Sequence, residues 1–509
     1  MGDWVAPILS VLRPRRRRVT AAPGRTSLEL RPPRSEQAAV LVAALGERLG
    51  SVPGVRHVGA NPVLCRVVVD HDASVRREDL LEAVEAAEAD AGTSGHEFPD
   101  TLAGHPADAE PVARAVLEVV GDALGIALAG LSWAVGLPRP VALVDAAAAV
   151  AELQNAPPLR RTVDRALGAA RAELVLAAAA SVAQGLAGNV LSPVVGATYH
   201  SLRVLELHAR RSVWWRREPE LVPSATTGTP DDRWRLPDPD RVAPLPGGPV
   251  ETASEAIWLA SLGVFVAALP FTGGVQRSIA ALTAGYPKAA RLGREAFAGR
   301  LVTRLAGAGV VVLHPEATRL LDRIDAVVVE DGLVEVGPVG SDLVEDARAL
   351  DLHAEVVTPE ALYRVVTELQ RQGGVVLAVG SARSDGLAAA DCAIGLVVGE
   401  QVPWTADVLA GGVDVDAART LIGAVPVARR VSRRSAALTV VGAVVGTGLA
   451  LGRVAAPWLP TALSAVDLAA LVAIAGGVVD AQRLRVASGD TTDTTAERSP
   501  LAIVAGGPA

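Results

Sequence analysis

The sequence predicts an α-helical multi-pass membrane domain joined to an α/β domain on a doubly wound parallel sheet, with a small α+β unit ahead of both. Three observations carry this. Half of the 509 residues are hydrophobic and mean hydropathy is +0.33, yet 20% are charged, so very apolar blocks alternate with polar ones. Between residues 288 and 428 the runs "AGVVVL", "DAVVVE", "HAEVV", "GVVLAVG" and "CAIGLVV" are separated by helical stretches such as Pro359 to Gln372, the alternation of strands and helices in a parallel sheet. Residues 27 to 90 mix short strand patterns with helical spacing.

Taken in order, residues 1–26 read as a basic cytoplasmic tail. In "MGDWVAPILSVLRPRRRR" the arginines follow a short apolar run, the reverse of a secretory signal peptide. In 27–90, "SLEL" reads as a strand, Glu36 to Gly50 as a helix, "GVRHVGAN" and "LCRVVVD" as a strand pair, and "SVRREDLLEAVEAAEA" as a helix opening at Ser74 like a capping box. Strand, helix, strand, strand, helix is the order of a ferredoxin-like fold. Residues 91–110 read as a linker.

The next blocks suit a bilayer. Ala123 to Pro138, Leu174 to Leu202, Ala256 to Gln276 and Ala436 to Gly452 carry no charge; a run from Val141 is interrupted by Asp145, and Ser464 to Val479 holds only Asp467. A spanning helix needs about 20 apolar residues, so 256–276 is the strongest candidate, and about six spans are expected in all. Arginine clusters flank the blocks at 13–18, 209–218, 288–300 and 428–434. With every cluster on the cytoplasmic side the helices come in hairpins, with the N-terminus and α/β domain cytoplasmic and the protein in the cell membrane. Trp214 and Trp215 beside arginines fit the headgroup level. The expected segments are helices over 111–217, a Pro, Asp, Gly and Thr-rich loop over 218–253, a hairpin over 254–287, the α/β domain over 288–428, a hairpin over 429–483 and a disordered tail over 484–509.

A net charge of -8 gives no hint of a nucleic-acid partner. Cys65 and Cys392 are far apart and form no CxxC, so neither a disulfide framework nor a thiolate metal site is indicated. Lys288 is the only lysine, an arginine bias read as base composition. A carboxylate inside "SAVDLAALVAIAGG" is costly in lipid, so Asp467 is an ion-path candidate beside the plainer readings of an interfacial position or a helix-to-helix hydrogen bond.

Several strings in this order resemble the P-type cation-transporting ATPases. "RLAGAGVVVLHPEATRLLDRIDAVVVED" is similar to the stalk and strand that lead into that family's phosphorylation motif, D-K-T-G. "VTPEALYRVVTELQRQGGVVLAVGSARSDGLAAADCAIGL" is similar to the family's P-E-x-K helix and G-D-G-x-N-D loop, and "VARRVSRRSAALTVVGAVV" to its arginine-rich approach to the next helix. Pro270 or Pro287 matches the helix-breaking proline, with Pro287 favoured by its distance to the strand. The resemblance covers most of the chain, in the heavy-metal flavour or that of the long actinobacterial type with an additional degenerate N-terminal half. It implies a haloacid-dehalogenase-like α/β domain and a heavy-metal-associated-like N-terminal unit.

The chemistry does not carry over residue by residue. The nucleophile's place falls on Glu330 or Asp331, followed by "GLVEV" where Lys, Thr and Gly should stand; the P-E-x-K lysine is Leu362. In the hinge loop Gly380 and Asp385 survive, but Ser381, Ala382 and Ser384 replace the first aspartate, the second glycine and the asparagine. Such a site needs cationic support and magnesium for phosphoryl transfer. The short interval from Glu330 to Gly380 leaves no room for a nucleotide-binding domain, and the 218–253 loop has no T-G-E. In the small unit, "RPPRSEQ" stands where a CxxC would bind metal, and His57 and His71 have no evident partner. For Asp385 the plain reading is a helix cap.

The expectation is a non-catalytic, P-type ATPase-like membrane protein, a structural or regulatory partner of an active transporter chain, with no retained catalytic residue, no metal site and no cofactor. The alternative is ATP-driven cation transport, alone or with a complementing subunit, and only that reading calls for magnesium and ATP. A membrane-tethered phosphatase would need the same missing groups.

Overall fold

The computed structural model describes residues 17–61, 63–98, 104–135, 150, 162–166, 168–222, 241–270, 275–333, 339–382, 384–399, 401–411, 415–452 and 462–485. Asp145 and its run, most of the 218–253 loop and the tail beyond 485 lie outside them.

The N-terminal unit contains β1 (Val19–Ala22), β2 (Arg25–Glu29), α1 (Ser35–Gly50), β3 (Val55–Asn61), β4 (Arg66–His71) and α2 (Arg77–Asp90). Its sheet runs β1-β2-β4-β3, every pair antiparallel. Leu41, Leu45 and Leu49 of α1 and Leu80 and Val84 of α2 bury against Leu28, Val67 and Val69, one face of the sheet. Two expectations fail here. The supposed tail supplies β1, held because Arg17 grips Glu88 (2.9 and 2.7 Å) and Arg18 reaches Glu110 (2.8 Å). Helix α2 starts at Arg77 with Arg76 at its N-cap and no side-chain cap, so Ser74 lies outside it.

Helices α3 (Glu110–Ala134), α4 (Ala169–Leu186), α5 (Leu191–Leu221), α6 (Pro249–Ala268), α7 (Val275–Thr283) and α8 (Lys288–Gly307) follow, and α12 (Asp416–Ala450) and α13 (Ala462–Arg483) come last among the described elements. Three of the described helices, α3, α6 and α13, are long and apolar enough to cross a membrane. They leave apolar side chains uncovered, among them Leu124 and Leu131 of α3, Leu259 and Val266 of α6 and Val472 of α13. In water such faces would be costly; in lipid they are at home. Helices α8 and α13 approach closely: a Cβ at Gly477 would lie 2.4 Å from the carbonyl oxygen of Gly293. Small residues permit that contact where no hydrophobic drive exists between helices.

The α/β part begins at β5 (Val311–Val312) and α9 (Pro315–Thr318), then β6 (Ala326–Glu330), α10 (Val339–Arg348), β7 (His353–Val357), α11 (Pro359–Arg371), β8 (Val376–Gly380), β9 (Cys392–Val397) and β10 (Val408–Gly411). Sheet order is β5-β10-β9-β8-β6-β7; all pairs are parallel except β5 with β10. Val327, Val329, Leu377 and Val379 face α10 and α12, while Val328, Val376 and Ala378 face α11 and the end of α5. Alternation along β6 and β8 therefore buries both faces of the central strands, which explains their unbroken valine runs.

Helix α12 runs unbroken through the boundary expected at 428, so one helix serves the α/β core with Leu421 and Val425 and continues into the apolar segment. Trp214 is not at headgroup level. It is 2% exposed, packed edge-on to His105 at 4.5 Å and near Trp404, because α5 runs on from the helical block to cover the sheet. Arg210, one turn earlier, donates to the carbonyls of Val312 (3.0 Å) and Leu313 (2.7 Å) and fixes that contact.

Candidate functional site

Strands β7 and β8 lie on opposite sides of β6, so chain direction across the sheet reverses there, and the C-terminal ends of β6 and β8 frame the crevice where open α/β sheets place their ligands. Glu330 ends β6 and Gly380 ends β8. Glu330 is 3% exposed. Its carboxylate accepts from the Ser381 backbone N–H (2.7 Å), from the Ser381 hydroxyl (2.9 Å) and from the Ser384 hydroxyl. Gly380 makes room for this closeness: a Cβ there would stand 2.8 Å from Glu330 Oε2, so the carboxylate would have to shift.

The other expected positions diverge. Asp331 is exposed; its N–H donates to the Val357 carbonyl (2.7 Å) and its Oδ1 accepts from the Gly332 N–H (2.9 Å), so it is a turn residue. Asp385 is exposed at the start of a short 3-10 turn, Asp385–Leu387, without a side-chain cap bond, which removes the cap reading. Leu362 is fully buried between α11 and the sheet with Leu387, so the position of the family's lysine serves packing. The structure thus joins Glu330 to Gly380 and to the two serines, and leaves Asp331 and Asp385 at the surface.

A second polar centre lies among the helices. Asp467 of α13 is fully buried; Lys288, at the start of α8, places its Nζ 2.8 Å from Oδ1 and 2.9 Å from the Ser192 hydroxyl. Asn189 donates to Oδ2 at 3.3 Å and Ser192 to Oδ1 at 3.4 Å. Pro287 is the N-cap of α8 and sets the turn that brings Lys288 inward. The sequence reading missed Lys288, although the single lysine of an arginine-rich chain, next to a helix-breaking proline, was a usable signal. It also missed the contact among α3, α4 and α5 in which Asp122 accepts from the Ser181 hydroxyl and meets His200 Nδ1 at 2.7 Å.

Among the described residues no group of three or more His, Cys, Asp and Glu side chains is arranged to hold a metal. His71 bonds Thr26 at 2.8 Å, and burial lowers the pKa of His57 from its ordinary value. Burial pushes the Cys65 thiol up to about 11 and the Cys392 thiol well above its ordinary value.

No model of a protein family matches the chain. It is similar to the proteins named probable cation-transporting ATPase I of Mycobacterium tuberculosis, strains CDC 1551 / Oshkosh and ATCC 25618 / H37Rv. Each is 29% identical over 354 residues, 62% of this chain and 21% of the relative. The protein of the same name from Mycobacterium leprae strain TN is 27% identical over 329 residues, 57% of this chain and 20% of that one. The chain spans about a fifth of the length of the curated relatives it matches. Among solved structures, a zinc-transporting PIB-type ATPase in the E2.Pi state aligns with 72% of this chain and 99% of its own at 13% identity and a TM-score of 0.38. On its sequence relatives, the chain resembles the P-type cation-transporting ATPases.

Proposed function

We propose that this is a non-catalytic membrane protein of P-type ATPase-like build that acts as a structural or regulatory partner of a cation transporter. The observation carrying this is the Glu330 carboxylate held by Ser381 and Ser384. A working site of this kind needs an acid free to attack a phosphoryl group, carboxylates for magnesium and a cation for the transferred charge. Here the acid is held by the hinge loop, both serine hydroxyls are spent on it, and Leu362 cannot carry charge. These residues do not fit a magnesium-bound phosphoryl group. The Lys288 and Asp467 pair supports the same reading, since a buried carboxylate already neutralised by an ammonium offers a transported cation little. In this proposal the α/β part is a haloacid-dehalogenase-like frame kept for packing. The N-terminal sheet is a ferredoxin-like, heavy-metal-associated-like unit whose edge strand comes from the N-terminal side.

Purified full-length chain incubated with magnesium and labelled ATP is expected to form no acid-stable phosphoenzyme. A phosphoenzyme that disappears in Glu330→Ala or Asp331→Ala overturns the proposal in favour of ATP-driven cation transport, the activity for which the 29% identical relatives are named.

A further inference from the structure

Where α12 leaves the α/β part, Arg429, Arg430, Arg433 and Arg434 with Pro426 and Asp351 line a cavity of about 600 Å³. Two of the four guanidinium groups are committed. Arg429 donates to the Ile324 carbonyl and lies 3.2 Å from Asp325; Arg434 pairs with Asp480 of α13 at 3.0 Å. Among the described residues Arg430 and Arg433 have no acidic partner, and both are exposed. Asp351 is the one carboxylate lining the cavity, so cationic charge dominates it.

The height of the cavity matters as much as its charge. Val440, Val441 and Val444 of the same helix are 47%, 57% and 67% exposed, as lipid-facing side chains are. The uncharged run of the helix begins at Ala436, and Arg433 and Arg430 precede it by about 4.5 and 9 Å along the axis at 1.5 Å per residue. The polar layer of one leaflet is about 5 to 8 Å thick, so Arg433 lies within it and the long Arg430 side chain reaches it from its outer edge, where headgroup phosphates lie. The Arg434 pair with Asp480 fixes the same level on α13, whose apolar run ends there. Arginine forks bind phosphate oxygens in pairs, and a preformed cavity with two uncommitted forks is built for that contact.

We propose that this cavity binds the phosphate of an anionic phospholipid at the membrane face that carries the α/β part. The lipid would tie α12 to the bilayer at the point where the helix passes from one part of the molecule to the other.

The test uses the full chain in nanodiscs of phosphatidylcholine with phosphatidylglycerol, with bound lipid counted by native mass spectrometry. An arginine near an anionic surface is worth about a factor of five, so Arg430→Gln with Arg433→Gln should lower the preference for phosphatidylglycerol about 25-fold. Arg48→Gln with Arg76→Gln, the same charge change on exposed arginines of the N-terminal unit, should leave it unchanged. Both cavity positions are exposed, so melting curves of the variant should match the parent. An unchanged preference in the cavity variant, an equal fall in the control variant, or displacement of the lipid by millimolar inorganic phosphate would overturn the proposal.

Discussion

At the scale of single residues the chain replaces reactive groups by satisfied ones. Glu330 is the shared acceptor of its two serines, so Glu330→Ala should take the carboxylate acceptor from a buried N–H and two hydroxyls and lower stability by about 2 kcal/mol. Glu330→Gln, which keeps an acceptor, should cost about half of that; chemical unfolding of the two variants measures both. For the pair among the helices, Asp467→Asn strands an ammonium and should cost about 3 kcal/mol. Lys288→Met with Asp467→Leu should recover most of the loss, because a well-packed apolar pair replaces a partly desolvated ionic one. A double variant as unstable as Asp467→Asn would instead make the charge itself structural. The positions of Glu330, Gly380 and Asp467 were legible in the sequence from strand ends and an isolated intramembrane acid. Their partners were not, since Ser381 and Ser384 read as losses and only folding shows what hydroxyls bond to.

Elements were legible where apolar period or β-branching decides them. The central strands "DAVVVE" and "GVVLAVG" follow from composition because burial on both faces demands it, and the long helices follow from their apolar runs. Strand β1 was hidden because its neighbours are arginines, whose role depends on acids far along the chain. Glu88 is fully buried and accepts from both Arg17 and Arg31, joining β1, the β2–α1 connection and α2. Glu88→Ala should therefore loosen β1 first: its amides should exchange hydrogen at least tenfold faster while β4 amides hold their protection. Uniform loss of protection across the sheet would show that β1 is no separate unit. The boundary inside α12 was misread for a related reason, since an arginine cluster marks a membrane edge equally well when the helix continues through it.

On the scale of the whole molecule, three parts meet at His105. It sits between the N-terminal unit and the helices, edge-on to Trp214 of α5, with Trp404 of the α/β part on that indole's other contact. The neighbouring Asp108 is gripped by Arg66 at 2.9 and 2.8 Å. His105 Nδ1 accepts from the Ala107 N–H at 3.1 Å, which requires that nitrogen to be unprotonated. Burial first, then the charges of Arg66, Arg210, Arg18 and His314, hold its pKa well below the ordinary value of 6.5. An opened junction takes up the proton that the closed one refuses, so closure is favoured above about pH 6.5 and loses up to about 1.4 kcal/mol per pH unit below it. His314 has the opposite sign, its pKa raised against burial by Asp407, so the comparison must be made with a variant and not across pH alone. The stability of the parent relative to His105→Gln, read by tryptophan fluorescence in denaturant, should fall by about 1 kcal/mol between pH 6.5 and pH 5.5. A difference that stays flat over that interval would mean that the imidazole is already hydrated in the closed junction.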